Sequence, residues 1–279
     1  MDTGVKGGGW SVPARKARLP EAEKLPSRPP VMCPGCPHRG LFYVLGRCGV
    51  VVAGDIGCYT LSVLPPLEGI DCQVCMGASV GMALGLERAF STGEVNAESS
   101  GKVVGVLGDS TFIHGGITGL IDMVYNRTPA TIVVLDNRTT AMTGFQDHPG
   151  TGVTLKGEES HALDLEDLCR AVGVDSVRVV DPWDLEESEG VIREEIGSDH
   201  TSVIISRRPC ILLERRPRKV YFRVDEEKCT SCGRCLKLGC LAIVMRGEKA
   251  RVEEDLCVGC SICAQVCRPG ALVEVIEDD

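Results

Sequence analysis

Five short apolar runs punctuate the first three quarters of the chain, at positions 50–53, 102–107, 131–135, 176–180 and 201–206. Those at 102–107 and 131–135 are β-branched almost throughout, the composition of strands buried on both faces of a sheet. Segments of helical pattern lie between the runs. A short helix is expected at 40–45, another opening near Ser79 with Gly77, Gly81 and Gly85 along one face, and a crossover helix at 115–127. Two more are expected at 164–172 and at 182–196, the last one charged and capped near Asp181. This alternation predicts an α/β domain with a mostly parallel sheet over residues 31–210. Residues 1–30, Pro-rich and without hydrophobic periodicity, read as an irregular arm. Residues 141–156 form a Gly-, Thr- and Pro-rich loop that starts at a strand end, where loops commonly cover a ligand.

Gly108, Asp109 and Ser110 follow the strand at 102–107, and Asp136, Asn137, Arg138, Thr139 and Thr140 follow the strand at 131–135. In a β-α-β unit these two ends meet at one edge of the sheet, outside the carboxyl ends of the strands, where such sheets bind ligands. A carboxylate and an amide oxygen there suit a hard divalent cation that also holds a diphosphate. The bland alternative is a turn into a helix N-cap, which Asp and Ser also serve. Gly54, Asp55, Ile56, Gly57 and Cys58 end an earlier strand, and the helix opening after Cys75, Met76 and Gly77 can present free N–H groups to a phosphate. His38, His114 and His148 fall in or near these loops. His38 and His114 are candidates to meet a substrate carboxylate, whereas His148 reads as an ordinary loop residue, and His161 and His200 as surface residues.

Net charge is −9 over 279 residues, which argues against nucleic acid as the main partner. No apolar run reaches membrane-spanning length and the N-terminus has no apolar signal core, so a cytoplasmic protein is expected. Sixteen cysteines in such a setting read as metal or iron–sulfur ligands rather than disulfides. The last 55 residues carry an internal repeat of the bacterial ferredoxin run, in which the final cysteine of each half ligates the other centre. On that basis Cys229, Cys232, Cys235 and Cys267 hold one [4Fe–4S] cluster, and Cys257, Cys260, Cys263 and Cys240 hold a second. Zinc is the bland alternative for any single Cys-x2-Cys pair. Two departures affect only loop shape: four residues precede Cys240, and Leu241 and Arg268 stand where Pro often follows. A small α+β domain of ferredoxin type is therefore expected at 225–279. Residues 211–224 form a basic linker within a run of cations from Arg207 to Arg223. That run is read either as solvated or as lying against an acidic surface. Cys48 and Cys169 read as small buried hydrophobes.

A diphosphate-type metal motif joined to a two-cluster ferredoxin repeat resembles the 2-oxoacid:ferredoxin oxidoreductases. Local sequence at 33–39, 54–58, 75–79, 108–112, 136–144 and 208–210 is similar to the C-terminal half of the α subunits of indolepyruvate:ferredoxin oxidoreductases. The resemblance implies thiamine diphosphate held through Mg2+ by Asp109, Asn137 and the backbone oxygen of Thr139. It also implies a cofactor lining of Asp55, Ile56, Gly57, Cys58, Met76, Gly77, Gly108, Ser110, Thr140, Ala141 and Met142. Cys33, Cys36, Cys58 and Cys210 match positions that hold a third, proximal [4Fe–4S] cluster in related enzymes. The alternative is that Cys33 and Cys36 are structural, or bind zinc with a pair such as Cys72 and Cys75. The implied activity is oxidative decarboxylation of a 2-oxoacid, indolepyruvate or another arylpyruvate, to an acyl-CoA, with electrons passing to ferredoxin. The family's α subunit carries a thiamine-pyrimidine domain with the activating Glu. Here that domain is expected on a separate chain, among other oxidoreductase subunits. The rival expectation is an electron-transfer subunit with a vestigial thiamine fold.

Overall fold

Strands β1 (Val51–Gly54), β2 (Cys72–Gln73), β3 (Val103–Gly108), β4 (Thr131–Asp136), β5 (Ser176–Val180) and β6 (Ser202–Arg207) form one sheet in the computed structural model. Their order is β2-β1-β3-β4-β6-β5, and every neighbouring pair is parallel. The structure describes residues 30–93, 101–213 and 220–277. The expected arm and the cations Arg215, Arg216, Arg218 and Lys219 lie outside the described residues.

The period of two in a strand sends alternate side chains to opposite faces, and the core divides accordingly. Val104, Val106, Val133, Leu135 and Ile204 pack with Leu41, Phe42 and Leu45 of α1 (His38–Cys48) and with Ile192, in a later helix. Val103, Leu107, Ile132, Val134, Val203 and Ile205 face the other way, onto Val80 and Ala83 of α2 (Ala78–Ser91) and onto Leu120 and Met123. All these residues are almost completely buried.

The crossover from β3 to β4 is a longer helical run than its periodicity suggests. It starts at the strand end with the turn α3 (Asp109–Thr111), passes through a π turn (Phe112–Gly116) and continues as α4 (Ile117–Tyr125). A π turn inserted in a helix commonly marks a functional site. Helix α5 (Leu165–Ala171) is capped by Asp164, which accepts the Asp167 N–H. Helix α6 (Leu185–Ile196) starts three residues later than expected and is capped by Asp184, not Asp181. Asp181 instead accepts the Trp183 N–H and pairs with Arg208, whose guanidinium stacks 3.8 Å over the Trp183 ring.

The cysteine repeat folds as two antiparallel pairs: β7 (Val220–Val224) with β10 (Leu272–Ile276), and β8 (Ile243–Arg246) with β9 (Lys249–Val252). A short helix α7 (Ile262–Val266) lies between them in sequence. Strand β7 falls inside the stretch read as linker, because its partner is the far C-terminal strand and no local signal marks that pairing. The repeat shares the hydrophobic core of the α1/α6 face. Gln265 fastens it there, accepting the Leu185 N–H and donating to the Trp183 carbonyl. So does Arg39 of α1, which donates to the Leu238 carbonyl at 2.8 Å. Gly35, at φ +69°, allows the closest approach: a Cβ there would stand 2.1 Å from Val258 Cγ2.

Candidate functional site

The carboxyl ends of β1, β3 and β4 surround an open cleft of about 550 Å³. Each end is a loop fixed by its own backbone hydrogen bonds. Asp109 begins α3 and is buried; its Oδ1 accepts the Ser110 N–H at 2.7 Å and its Oδ2 the Arg138 N–H at 2.9 Å. Asn137 Oδ1 accepts the Thr139 N–H at 3.2 Å. The β3 and β4 ends thus grip one another, with Asp109 and Asn137 both in the cleft wall. Behind them Asp136 takes Arg207 Nε at 2.7 Å and Arg138 Nε at 3.2 Å, and Arg207 reaches on to Glu166. Two cations of the basic run, Arg207 and Arg208, therefore brace the sheet edge rather than facing solvent.

Of the residues expected to line a cofactor, Ile56, Gly57, Cys58, Met76, Gly108, Asp109, Ser110, Asn137, Thr139, Thr140, Ala141 and Met142 line the cleft. Asp55 and Gly77 do not. The Asp55 carboxylate, fully buried, accepts the N–H groups of Gly77 at 2.6 Å and Ser79 at 3.1 Å, so it caps α2. The N-terminal N–H groups that were expected to face a phosphate are thereby spent internally.

Four lining residues were not foreseen, Tyr59, Thr111, Leu135 and Thr143. Tyr59 has a clear task. Its hydroxyl accepts the Gly108 N–H at 3.1 Å and donates to the Ile56 carbonyl at 3.2 Å, tying the β1 turn to the β3 end. Burial pushes the phenol well above its usual range, so it stays a donor. The only hint in the sequence is that it follows Cys58.

The histidines separate by position. His38 is buried in the cleft wall with its Nε2 3.4 Å from Asn137 Nδ2, and burial lowers its pKa to about 4, against the opposing pull of Asp109. It is neutral, and the amide of Asn137 can donate to it. His114 is exposed and does not line the cleft. His148 is not an ordinary loop residue, since its side chain is 2% exposed. The Gly150 N–H donates to its Nδ1 at 3.2 Å, which leaves the proton on Nε2. That Nε2 lies 3.2 Å from Asp109 Oδ2 but out of line for a hydrogen bond, so a buried N–H is left without a partner at the cation-type carboxylate.

The cysteines group by mutual charge. The Cys36 thiol is raised to about 12, by burial first and in smaller part by Cys33 and Cys58. Cys58 is raised by burial and then by Cys210 and Cys33, and Cys210 likewise by burial and Cys33. These four come from the turn before α1, the β1 loop and the end of β6. The Cys210 N–H donates to the Asn137 carbonyl at 2.9 Å, joining this group directly to the cleft. Cys72, proposed as a zinc partner for the Cys33 pair, instead feels Asp71 after burial itself.

In the repeat, Cys263 is raised by burial and then by Cys260, Cys257 and Cys240, and Cys235 by burial and then by Cys267, Cys232 and Cys229. Cys240, Cys257, Cys260 and Cys263 line one mainly apolar pocket, and Cys229, Cys232, Cys235 and Cys267 line another. Both cavities have a backbone N–H directed at sulfur, Phe222 to Cys257 at 3.4 Å and Ala271 to Cys267 at 3.2 Å. Among the described residues no three His, Cys, Asp or Glu side chains converge on a single-ion site.

Residues 55–206 match the family model of the thiamine pyrophosphate enzyme C-terminal TPP binding domain. The chain belongs to this family. The cleft fits the family's ligand: paired oxygen donors of Asp109 and Asn137 for a cation, and an unpartnered His148 N–H beside them. Among curated proteins, the chain is 43% identical over 257 residues to indolepyruvate oxidoreductase subunit IorA of Archaeoglobus fulgidus, covering 88% of this chain and 40% of that protein. It is 44% identical over 262 residues to the subunit of the same name from Methanothermobacter marburgensis, covering 90% and 41%. The chain thus spans about two fifths of the length of these relatives. Among solved structures, 2-oxoglutarate:ferredoxin oxidoreductase from Magnetococcus marinus superposes with a TM-score of 0.53 at 15% identity, covering 71% of this chain and 70% of that one. That likeness supports the fold. No helix among the described residues is long and apolar enough to cross a membrane.

Proposed function

We propose that this chain is the diphosphate-binding and electron-relay portion of an indolepyruvate-type 2-oxoacid:ferredoxin oxidoreductase. The observation that carries this reading is the Cys210 N–H bond to the Asn137 carbonyl, which sets a group of four thiols one backbone contact away from the cation-type cleft. When bound, thiamine diphosphate supplies the electron sink for decarboxylating a 2-oxoacid, and [4Fe–4S] clusters supply one-electron acceptors. Asp109, Asn137 and the Thr139 carbonyl would hold the Mg2+, and Cys33, Cys36, Cys58 and Cys210 the proximal cluster. The two sets of the repeat would carry electrons on to ferredoxin. Neutral His38 keeps the Asn137 amide turned so that its oxygen faces the Thr139 side. Ile56, Met76 and Met142 supply apolar side chains to the cleft lining. The activating Glu, the pyrimidine side of the site and much of the aryl pocket come from outside these residues. CoA and the 2-oxoacid are the small-molecule partners, and the reduced thiols such clusters need fit a cytoplasmic setting.

The rival reading, an electron-transfer subunit with a vestigial cleft, is disfavoured by the intact Asp109 and Asn137 pair. Iron, acid-labile sulfide, zinc, thiamine and magnesium assays on anaerobically purified protein separate the two. About twelve irons per chain, with Mg2+-dependent thiamine diphosphate binding, are expected for three four-iron centres. About eight irons with zinc would return Cys33, Cys36, Cys58 and Cys210 to a structural role. Absence of thiamine binding in the assembled enzyme would leave the electron-transfer reading.

A further inference from the structure

Arg39 is 3% exposed, and among the described residues its guanidinium finds only carbonyl partners. It donates to the oxygens of Met32 and Leu238, both at 2.8 Å, and to that of Cys33 at 3.2 Å, while its buried Nε has no partner. Among the described residues no carboxylate pairs with it. A buried, uncompensated cation costs several kcal/mol, so a fold that keeps one has negative charge close by. Among the described residues, cysteines of two groups flank it. Arg39 borders the cavity of Cys240, Cys257, Cys260 and Cys263. It also holds the carbonyl of Cys33, in the turn that carries the other thiol group.

We infer that Arg39 is a counter-ion shared by two iron–sulfur centres, the one on Cys33, Cys36, Cys58 and Cys210 and the one on Cys240, Cys257, Cys260 and Cys263, and that it positions their reduction potentials together. This rests on the cluster reading above. Each four-thiolate centre gains one negative charge when it takes an electron, and a fixed cation in a low-dielectric setting stabilises that reduced form. Because one guanidinium serves both neighbours, an electron is stabilised on either side of it, and the step between them stays nearly level. The centre on Cys229, Cys232, Cys235 and Cys267 lies in a separate cavity without Arg39.

The test is an EPR-monitored redox titration of the anaerobically purified holoprotein and of its Arg39→Gln and Arg39→Lys variants, with iron and sulfide counted in each. In Arg39→Gln two of three midpoints are expected to move to lower potential while the third stays and iron content is retained. Arg39→Lys, which keeps the charge but loses the forked hydrogen bonds, should leave the midpoints close to the parent's. Unmoved midpoints in iron-replete Arg39→Gln, a uniform shift of all three, or equal shifts in the Gln and Lys variants would overturn the inference. If Arg39→Gln does not retain iron, the Lys variant decides: parent-like midpoints uphold the role of charge and displaced ones refute it. A parent protein without a third centre would instead refute the cluster reading, and that is seen before any variant is made.

Discussion

Asp109 and Asn137 each directly follow a strand, and the parallel sheet delivers both ends to one edge. His148 reaches that edge by another route. It lies in a Gly-rich loop with no periodicity, and only the return of that loop over the sheet edge buries it against Asp109. Its Nε2–H is held in place by the Gly150 N–H on the opposite nitrogen and, apart from the out-of-line Asp109 Oδ2 at 3.2 Å, has no hydrogen-bond partner among the described residues, so an oxygen-rich ligand would satisfy it. His148→Gln is therefore expected to weaken Mg2+-dependent thiamine diphosphate binding about tenfold, roughly 1.4 kcal/mol. Titration calorimetry on the assembled enzyme would measure this, with the urea midpoint nearly unchanged. Equal affinities in parent and variant would show the orphaned N–H to be incidental.

Among the elements, the five strands of the apolar runs begin within a residue of their expected places, whereas α1 and α6 begin two and three residues away. Burial on both faces leaves a continuous apolar signature, but a helix start depends on which of several polar residues wins the cap. Asp181 and Asp184 are both competent; Arg208 takes the first and leaves the second to cap α6. Asp55 shows the same ambiguity from the other side, since a carboxylate in a ligand-binding type of turn proves to be a helix cap supplied from another strand. Replacing it with Ala would leave two buried N–H groups of α2 unpaired, at a cost of about 1–3 kcal/mol. A urea titration should therefore show a lower midpoint for Asp55→Ala. An unchanged midpoint would mean that α2 recaps itself.

For the whole molecule, the two thiol sets of the repeat could be assigned from spacing because the ferredoxin run exchanges its last cysteines. The docking of the repeat on α1 and α6 could not, since it depends on contacts between residues about 200 positions apart, such as Arg39 with Leu238. Gly35 is the tightest point of that contact, and both its left-handed backbone and its lack of a Cβ are used. Gly35→Ala is expected to loosen the repeat from the α/β unit. Faster hydrogen exchange in α1 and in residues 257–263, with slower electron transfer out of the cleft, would report it. Exchange rates identical to the parent's would mean that Val258 simply yields.

The bond from Cys210 to Asn137 also constrains how the chain can change in length. Cys210 lies three residues past the end of β6, and Asn137 lies one past the end of β4, on neighbouring strands in fixed register. Both loops are measured against the same ladder. A single residue added to either would leave the sheet intact yet put the cation donor and the nearest thiol out of step with each other. The two loop lengths are thus set against each other, and a change in one calls for a matching change in the other.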